Sequence, residues 1–255
     1  MGETKLVFFS ASGTTKKIAT AVAASLGKEV VEHDLLKRPQ ETSVVFEAGD
    51  AAVFAMPVFA GRIPAICVDM LKQFKGSKTP AIALAVYGNR EYDDALLELV
   101  DLLNENGFVV VAAAAFVAQH SIFPKVAQGR PDASDEQKIA AFGQECRKLI
   151  AGFSGAEKIA VKGNHPYRDP SPIPMIPSGS ANCDECGTCV ALCPTKAISA
   201  DAPRKTNKSL CISCTACITA CPQHARSFGG PVYAVASKSF EKKNAGRKEP
   251  EFFYA

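Results

Sequence analysis

The sequence predicts an α/β chain: a doubly wound, five-stranded parallel sheet followed by a small cysteine-rich unit. Two observations carry this reading. From Lys5 to about Phe153, short apolar runs alternate with stretches of helical spacing. Beyond them, eight of the ten cysteines crowd between Cys183 and Cys221. Five strands separated by helices in about 150 residues require crossover connections, and those give a parallel sheet covered on both faces.

Lys5–Phe9 is a short apolar run ending in a Ser/Gly/Thr turn, and Thr14–Leu26 reads as the first helix. A weaker strand is expected near Glu29–Val31. Ala51–Ala55 is the next buried strand, with a helix over Ile66–Phe74. Ala81–Val86 is a further strand, and Asp93–Asn104 is an amphipathic helix ending near Asn106-Gly107. Phe108–Phe116 completes the sheet, and a helix from about Ser134 to Ile150 closes residues 1–155. Residues 156–180 form a linker in which Pro166, Pro170, Pro172, Pro174 and Pro177 exclude helix. Residues 181–230 are the cysteine domain. Residues 231–255 read as a basic tail (Lys238, Lys242, Lys243, Arg247, Lys248) ending in Phe252-Phe253-Tyr254. The tail is expected to be solvated, with docking of an acidic redox partner as the alternative.

A chain of 255 residues, 47% hydrophobic and 22% charged, has room for one full-sized domain and a smaller one. The net charge of +3 calls for neither a nucleic acid nor an anionic membrane. No apolar run is long enough to span a bilayer. Met1-Gly2 opens like a myristoylation site, but Leu6 stands where Ser or Thr is required. No charged segment leads into an apolar stretch, so a cytoplasmic protein without a signal peptide is expected. In that setting bunched cysteines point to metal rather than disulfides. Cys67 and Cys146, which lie apart in helical patterns, are expected to be buried small hydrophobes.

Cys183-x2-Cys186-x2-Cys189-x3-Cys193-Pro194 returns 28 residues on as Cys211-x2-Cys214-x2-Cys217-x3-Cys221-Pro222, with Ala197 matching Ala225. Three thiolates two residues apart wrap three corners of an iron–sulfur cube. The fourth, at the start of a short helix, cannot fold back on its own cube and ligates the partner's. One [4Fe–4S] cluster therefore takes Cys183, Cys186, Cys189 and Cys221, and the other Cys193, Cys211, Cys214 and Cys217. Zinc also accepts four sulfurs, but its sites usually pair one CxxC with a distant CxxC. The segment resembles the bacterial two-cluster ferredoxins over about 45 residues, which implies a small α+β module.

Three loops fall at the carboxyl ends of successive strands, where doubly wound sheets bind ligands. Ser10, Ser12, Gly13, Thr14 and Thr15 offer hydroxyls, a glycine and a helix N-terminus, a setting for a phosphate, although a Ser/Thr-rich helix cap explains the same residues. Pro57, Val58, Phe59, Ala60 and Gly61 follow one strand, and Tyr87, Gly88 and Asn89 another. Each supplies an aromatic to stack on a planar ring and glycine-containing backbone to meet its edge.

Together these loops resemble the flavodoxin family. The resemblance implies FMN, its phosphate in Ser10–Thr15, its isoalloxazine between Phe59 and Tyr87, and Gly88 and Asn89 against the pyrimidine edge. Thr14 stands where Asn is usual, and the chain has no Trp. Tyr92 is a third candidate aromatic, or a core residue at a helix start. His120, in Gln119-His120-Ser121-Ile122-Phe123-Pro124, is expected either beside the flavin or bonded to backbone.

As a whole the chain resembles EFR1-type flavodoxin–ferredoxin fusions, to which Tyr87-Gly88-Asn89-Arg90, Tyr92-Asp93-Asp94-Ala95 and Gln119-His120-Ser121 add likeness. The resemblance implies electron transfer among two [4Fe–4S] clusters, FMN, and redox partner proteins or small electron acceptors. The competing reading is a flavin-dependent reductase of a small substrate such as a quinone. That would require convergent polar groups, with Arg62, Arg90 and His120 as candidates. A redox sensor is the third reading, but no regulatory surface is legible for it.

Overall fold

Alternation along each strand decides which face of the sheet a residue serves. The computed structural model describes residues 2–37, 43–47, 49–171 and 173–255, so Met1 and Pro172 lie outside the described residues. The N-terminal elements are β1 (Thr4–Phe8), α1 (Thr14–Ser25), β2 (Val30–Asp34), β3 (Val44–Val45), β4 (Ala51–Pro57), α2 (Ala65–Leu71), β5 (Phe74–Lys75), β6 (Thr79–Tyr87), α3 (Ala95–Glu105), β7 (Phe108–Val117) and α4 (Ala133–Ala151). They are followed by β8 (Ser178–Gly179), α5 (Thr188–Leu192), α6 (Ala216–Thr219), β9 (Arg226–Ser227), α7 (Gly230–Lys243) and β10 (Glu251–Tyr254).

The main sheet runs β2-β1-β4-β6-β7-β10. Its first five strands are parallel, in the flavodoxin-like order with the switch point between β1 and β4. Leu6, Phe8, Val53, Ala55, Ile82 and Leu84 face α1 and α4, forming one core with Ile18, Val22, Phe142 and Cys146. Val7, Phe9, Phe54, Met56, Ala83 and Ala85 face α2 and α3, forming the other core with Cys67, Leu71, Leu96 and Leu99. Each fully buried Leu, Ile, Val or Phe contributes about 1.5–3 kcal/mol, so the two-faced core holds the strand ends where loops must project. Cys67 and Cys146 are completely buried, as small hydrophobes.

Two expected boundaries move. The helix over Ile66–Phe74 ends at Leu71, because Phe74 pairs with Val44 in the short β3–β5 ladder and fills the core. Cys193 and Cys221 follow the short helices α5 and α6 rather than opening them. Gly187 and Thr215, both left-handed, start those helices, and Pro194 and Pro222 prevent their continuation.

The larger correction concerns the C-terminus. Residues 231–255 are not a solvated tail: α7 is a 14-residue helix and β10 pairs antiparallel with β7. The apolar Phe252-Phe253-Tyr254 thus becomes a sixth strand that covers an edge β7 would otherwise leave open. Phe252 packs on Phe142 and Phe116, while Phe253 packs against the opposite core. Basic residues of the segment meet the chain's own carboxylates, Arg247 with Asp132 and Lys248 with Glu91.

The proline-rich linker is anchored as well. The Asp94 carboxylate, at the start of α3, accepts the backbone N–H groups of Asn164 and Arg168 at 2.8 and 2.7 Å. Burial would raise its pKa, but these donors hold it below the usual value.

If β10 belongs to the folded sheet, Phe252→Ala should lower stability by about 2 kcal/mol, less than the ~3–5 for a fully buried Phe. A urea melt followed by circular dichroism reads this directly. An unchanged midpoint would detach β10 from the sheet.

Candidate functional site

A cavity of about 260 Å³ opens at the carboxyl ends of the parallel strands, beside the switch point. Its walls come from the loop after β1 (Ser12, Thr14, Thr15), the loop after β4 (Pro57, Val58, Phe59, Ala60, Gly61), Tyr87 and Gly88 after β6, and His120 after β7. A second cavity of about 340 Å³ adjoins it across Phe59 and Ala60.

The first loop enters α1 through left-handed Gly13, and no acidic residue or side-chain cap occupies the helix's first turn. Ser10 Oγ accepts the Lys16 N–H at 3.0 Å, and the Ser12 and Thr14 hydroxyls lie 3.1 Å apart. Ser10 therefore serves the helix itself, while Ser12, Thr14 and Thr15 line the cavity. A helix start without a carboxylate is a setting that accepts an anion. In the second loop, Phe59 and Arg62 exchange backbone hydrogen bonds at 2.8 and 3.1 Å around Ala60 and Gly61, both at positive φ. This tight turn presents Phe59 at the rim. At Gly88, any Cβ would stand 2.6 Å from the His120 ring, so the two loops touch only because the residue is glycine.

Besides Ser10 and Gly13, which shape the loop without lining the cavity, Asn89 and Tyr92 lie outside it. The Asn89 side chain donates to the Asn244 and Gly246 carbonyls and accepts the Lys248 N–H, fastening the C-terminal segment. Tyr92 is buried with its hydroxyl on Glu251 and its ring against Tyr87, a core role with no opening to the cavity. His120 lines the cavity and is also bonded to backbone. Its Nδ1 accepts the N–H groups of Ile122 and Phe123 at 3.1 and 3.2 Å. Burial, helped by the nearby charge of Arg90, pulls its pKa down to about 4.

The eight clustered thiols sort into two voids. Cys183, Cys186, Cys189 and Cys221 line one; Cys193, Cys211, Cys214 and Cys217 line the other. The repeat recurs in its hydrogen bonds, with Ala197 N–H on Cys193 Sγ at 3.2 Å and Ala225 N–H on Cys221 Sγ at 3.3 Å. Among the described residues no three His, Cys, Asp or Glu side chains converge on a single-ion site. One zinc would draw four sulfurs to about 2.3 Å from a common centre. Four soft donors around a void, with backbone N–H groups on the sulfurs, suit an iron–sulfur cube.

Nothing in the sequence places several of the wall residues at the cavity. Ser213 and Cys214 of the second cysteine motif close the cavity, and so does Phe240 of α7. Cys214 packs against the N-terminal core, where burial pushes its thiol up to about 12. Ser213 is tied by its hydroxyl to the Met175 carbonyl at 2.6 Å. Arg226, buried beside the first void, was legible only as the residue that replaces Ile198 in the second repeat.

Residues 182–226 match the family described as a 4Fe-4S dicluster domain. No curated protein matches the chain. Solved structures similar to it include a flavodoxin from the domain Archaea, at 15% identity over 58% of this chain and 99% of that one, with a TM-score of 0.41. The Streptococcus pneumoniae TIGR4 flavodoxin is similar at 15% identity over 59% and 99%, with a TM-score of 0.41. A flavone reductase is similar at 11% identity over 58% and 63%, with a TM-score of 0.42. No helix among the described residues is long and apolar enough to cross a membrane.

Two outcomes follow from this geometry. If each set holds one cluster, Cys193→Ser should remove iron from the set built mainly from the second motif, leaving about half of the parent's iron; loss confined to the first motif's set, read by spectroscopy of the remaining cluster, would reverse the pairing. The His120 ring should titrate near pH 4 by NMR. Because this lies below the ordinary 6.5, the unfolded chain binds more protons between those values. The stability contributed by neutral His120 is thus full above about pH 6.5 and lost as pH falls through about 4. A titration midpoint near 6.5 would contradict the buried, backbone-bonded ring.

Proposed function

We propose that the chain is a cytoplasmic electron-transfer protein, an EFR1-type flavodoxin–ferredoxin fusion that holds FMN and two [4Fe–4S] clusters and meets redox partner proteins or small electron acceptors. The observation that carries this reading is the shared wall. Cys214, from the second cysteine set, lines the same cavity as Ser12, Thr14, Phe59 and Tyr87. When bound, the clusters would exchange electrons singly and the flavin one or two at a time.

In this reading the α1 N-terminus with Ser12, Thr14 and Thr15 holds the phosphate. Phe59 and Tyr87 flank the ring, and the backbone at Gly88 borders it. Cys193, Cys211, Cys214 and Cys217 hold the cluster on the flavin side. Cys183, Cys186, Cys189 and Cys221 hold the other, near the surface where Cys186 is exposed. The duplicated motif would thus provide one inward and one outward station.

The reductase reading needs free polar groups over the ring. Arg62 is instead held by the Glu98 carboxylate at 2.6 and 2.7 Å, by the Arg168 carbonyl and by the face of Tyr167. Arg90 is paired with Asp93, and His120 is neutral with Nδ1 occupied. These engagements support a carrier over a catalyst.

Ser12→Asp places a carboxylate at the α1 N-terminus, where it competes with a phosphate. FMN should be lost on purification while iron stays normal; retained FMN would move the phosphate elsewhere. In the parent protein, a light-driven pulse that reduces the clusters should bleach the flavin absorbance with a rate independent of protein concentration. A rate that rises with concentration would mean transfer between molecules.

A further inference from the structure

Arg226 is 2% exposed, yet no carboxylate pairs with it among the described residues. Its Nη1 donates to the Pro203 carbonyl, and its Nη2 to the Pro177 carbonyl and the Thr206 hydroxyl. Every one of these acceptors is neutral. Its Nε is buried with no hydrogen-bond partner among the described residues. A guanidinium stays charged at any ordinary pH, and a charge removed from water requires an opposite charge close by.

The anions it would meet are the two cysteine sets once they hold their clusters as thiolates. Arg226 lines the void of Cys183, Cys186, Cys189 and Cys221. Cys189 Sγ, 4.0 Å from the Pro203 oxygen, shares that acceptor with Arg226 Nη1. On the other side, Pro177 and Thr206, which Arg226 Nη2 holds, line the void of Cys193, Cys211, Cys214 and Cys217. The internal repeat sharpens the point. The 28-residue shift that superimposes the motifs places Ile198 on Arg226. Ile198 is equally buried and packs on Cys189 and Cys217. Equivalent positions thus border the two cysteine sets, one apolar and one cationic, and loop closure alone would not require a charge at the second.

We propose that Arg226 is a positioning residue that compensates the charge of both clusters and so raises their reduction potentials. The inference rests on the iron–sulfur reading of the cysteines. Reduction adds one electron to a cluster from an external one-electron reductant, with no bond made or broken and no proton required. Net charge and hydrogen bonds at the sulfurs set the potential of such a centre. The fixed cation offsets the added negative charge in a site of low dielectric constant, where its effect is large.

The test is Arg226→Gln beside Arg226→Lys, each purified without oxygen, with iron counted and both potentials measured by dye-mediated titration. Arg226→Gln should keep the parent's iron and shift both potentials downward by at least about 59 mV, a tenfold change in the one-electron equilibrium. Arg226→Lys, which keeps the charge and loses the planar fork, should recover most of that shift. Full iron with unchanged potentials in Arg226→Gln overturns the proposal. So does a shift in Arg226→Lys as large as in Arg226→Gln, since the residue would then act only by tying loops together. If Arg226→Gln loses its iron, Arg226→Lys decides alone. Potentials within about 59 mV of the parent's, a tenfold change in the one-electron equilibrium, support the proposal, and a larger fall overturns it. A parent chain without iron would instead remove the cluster reading itself.

Discussion

The contact on which the rest of the arrangement depends is the seat that the N-terminal core gives to the second cysteine loop. Ala216 is buried within that core, and Cys214 packs against it. Ser213 is held by the Met175 carbonyl, while Met175 packs with Ile122, Phe123 and Val126 beneath the loop after β7. Apolar burial supplies the attraction, and one buried hydrogen bond sets the orientation. Without that seat, the cysteine module would be joined to the sheet only through the segments that flank it.

The two motif copies show how a duplication becomes asymmetric without disturbing its ligand geometry. Asp184, Glu185 and Thr188 in the first copy are exposed. Their counterparts Ile212, Ser213 and Ala216 are half-buried or buried. The cysteines and the Sγ-directed N–H groups of Ala197 and Ala225 are common to both. The difference in burial lies between the cysteines, where apolar and small residues allow close approach and charged residues forbid it.

The segments on either side of the cysteine module are held by the N-terminal domain. Before it, the linker lies along α3, bound through Asp94 and through Asp101, which takes His165 and Tyr167. After it, α7 lays Phe240 against His120 and Phe123, and β10 joins the sheet. The exposed ion pairs along this path contribute little each. The ladder to β7 and the packing of Phe252 on Phe142 account for the attachment. With both ends anchored, the module has little freedom to leave the cavity it closes.

Much of this was legible in the residues alone. Strand and helix alternation, the three loops at strand ends and the division of eight cysteines into two crossed sets are local or strictly periodic signals, which a short window of sequence contains. The C-terminal strand was not legible, because three apolar residues after a basic run acquire meaning only from the open edge of β7, more than 130 residues earlier. Nor was the engagement of Asn89 and Tyr92 with the C-terminal segment, which removes both from the cavity. The placement of Cys214 at the cavity wall and of Arg226 beside the cysteine sets belongs to the same class. Sequence determined which groups were available and in what local geometry. Tertiary packing decided which of them face one another, because burial and pairing between distant segments depend on surfaces that exist only once both are folded.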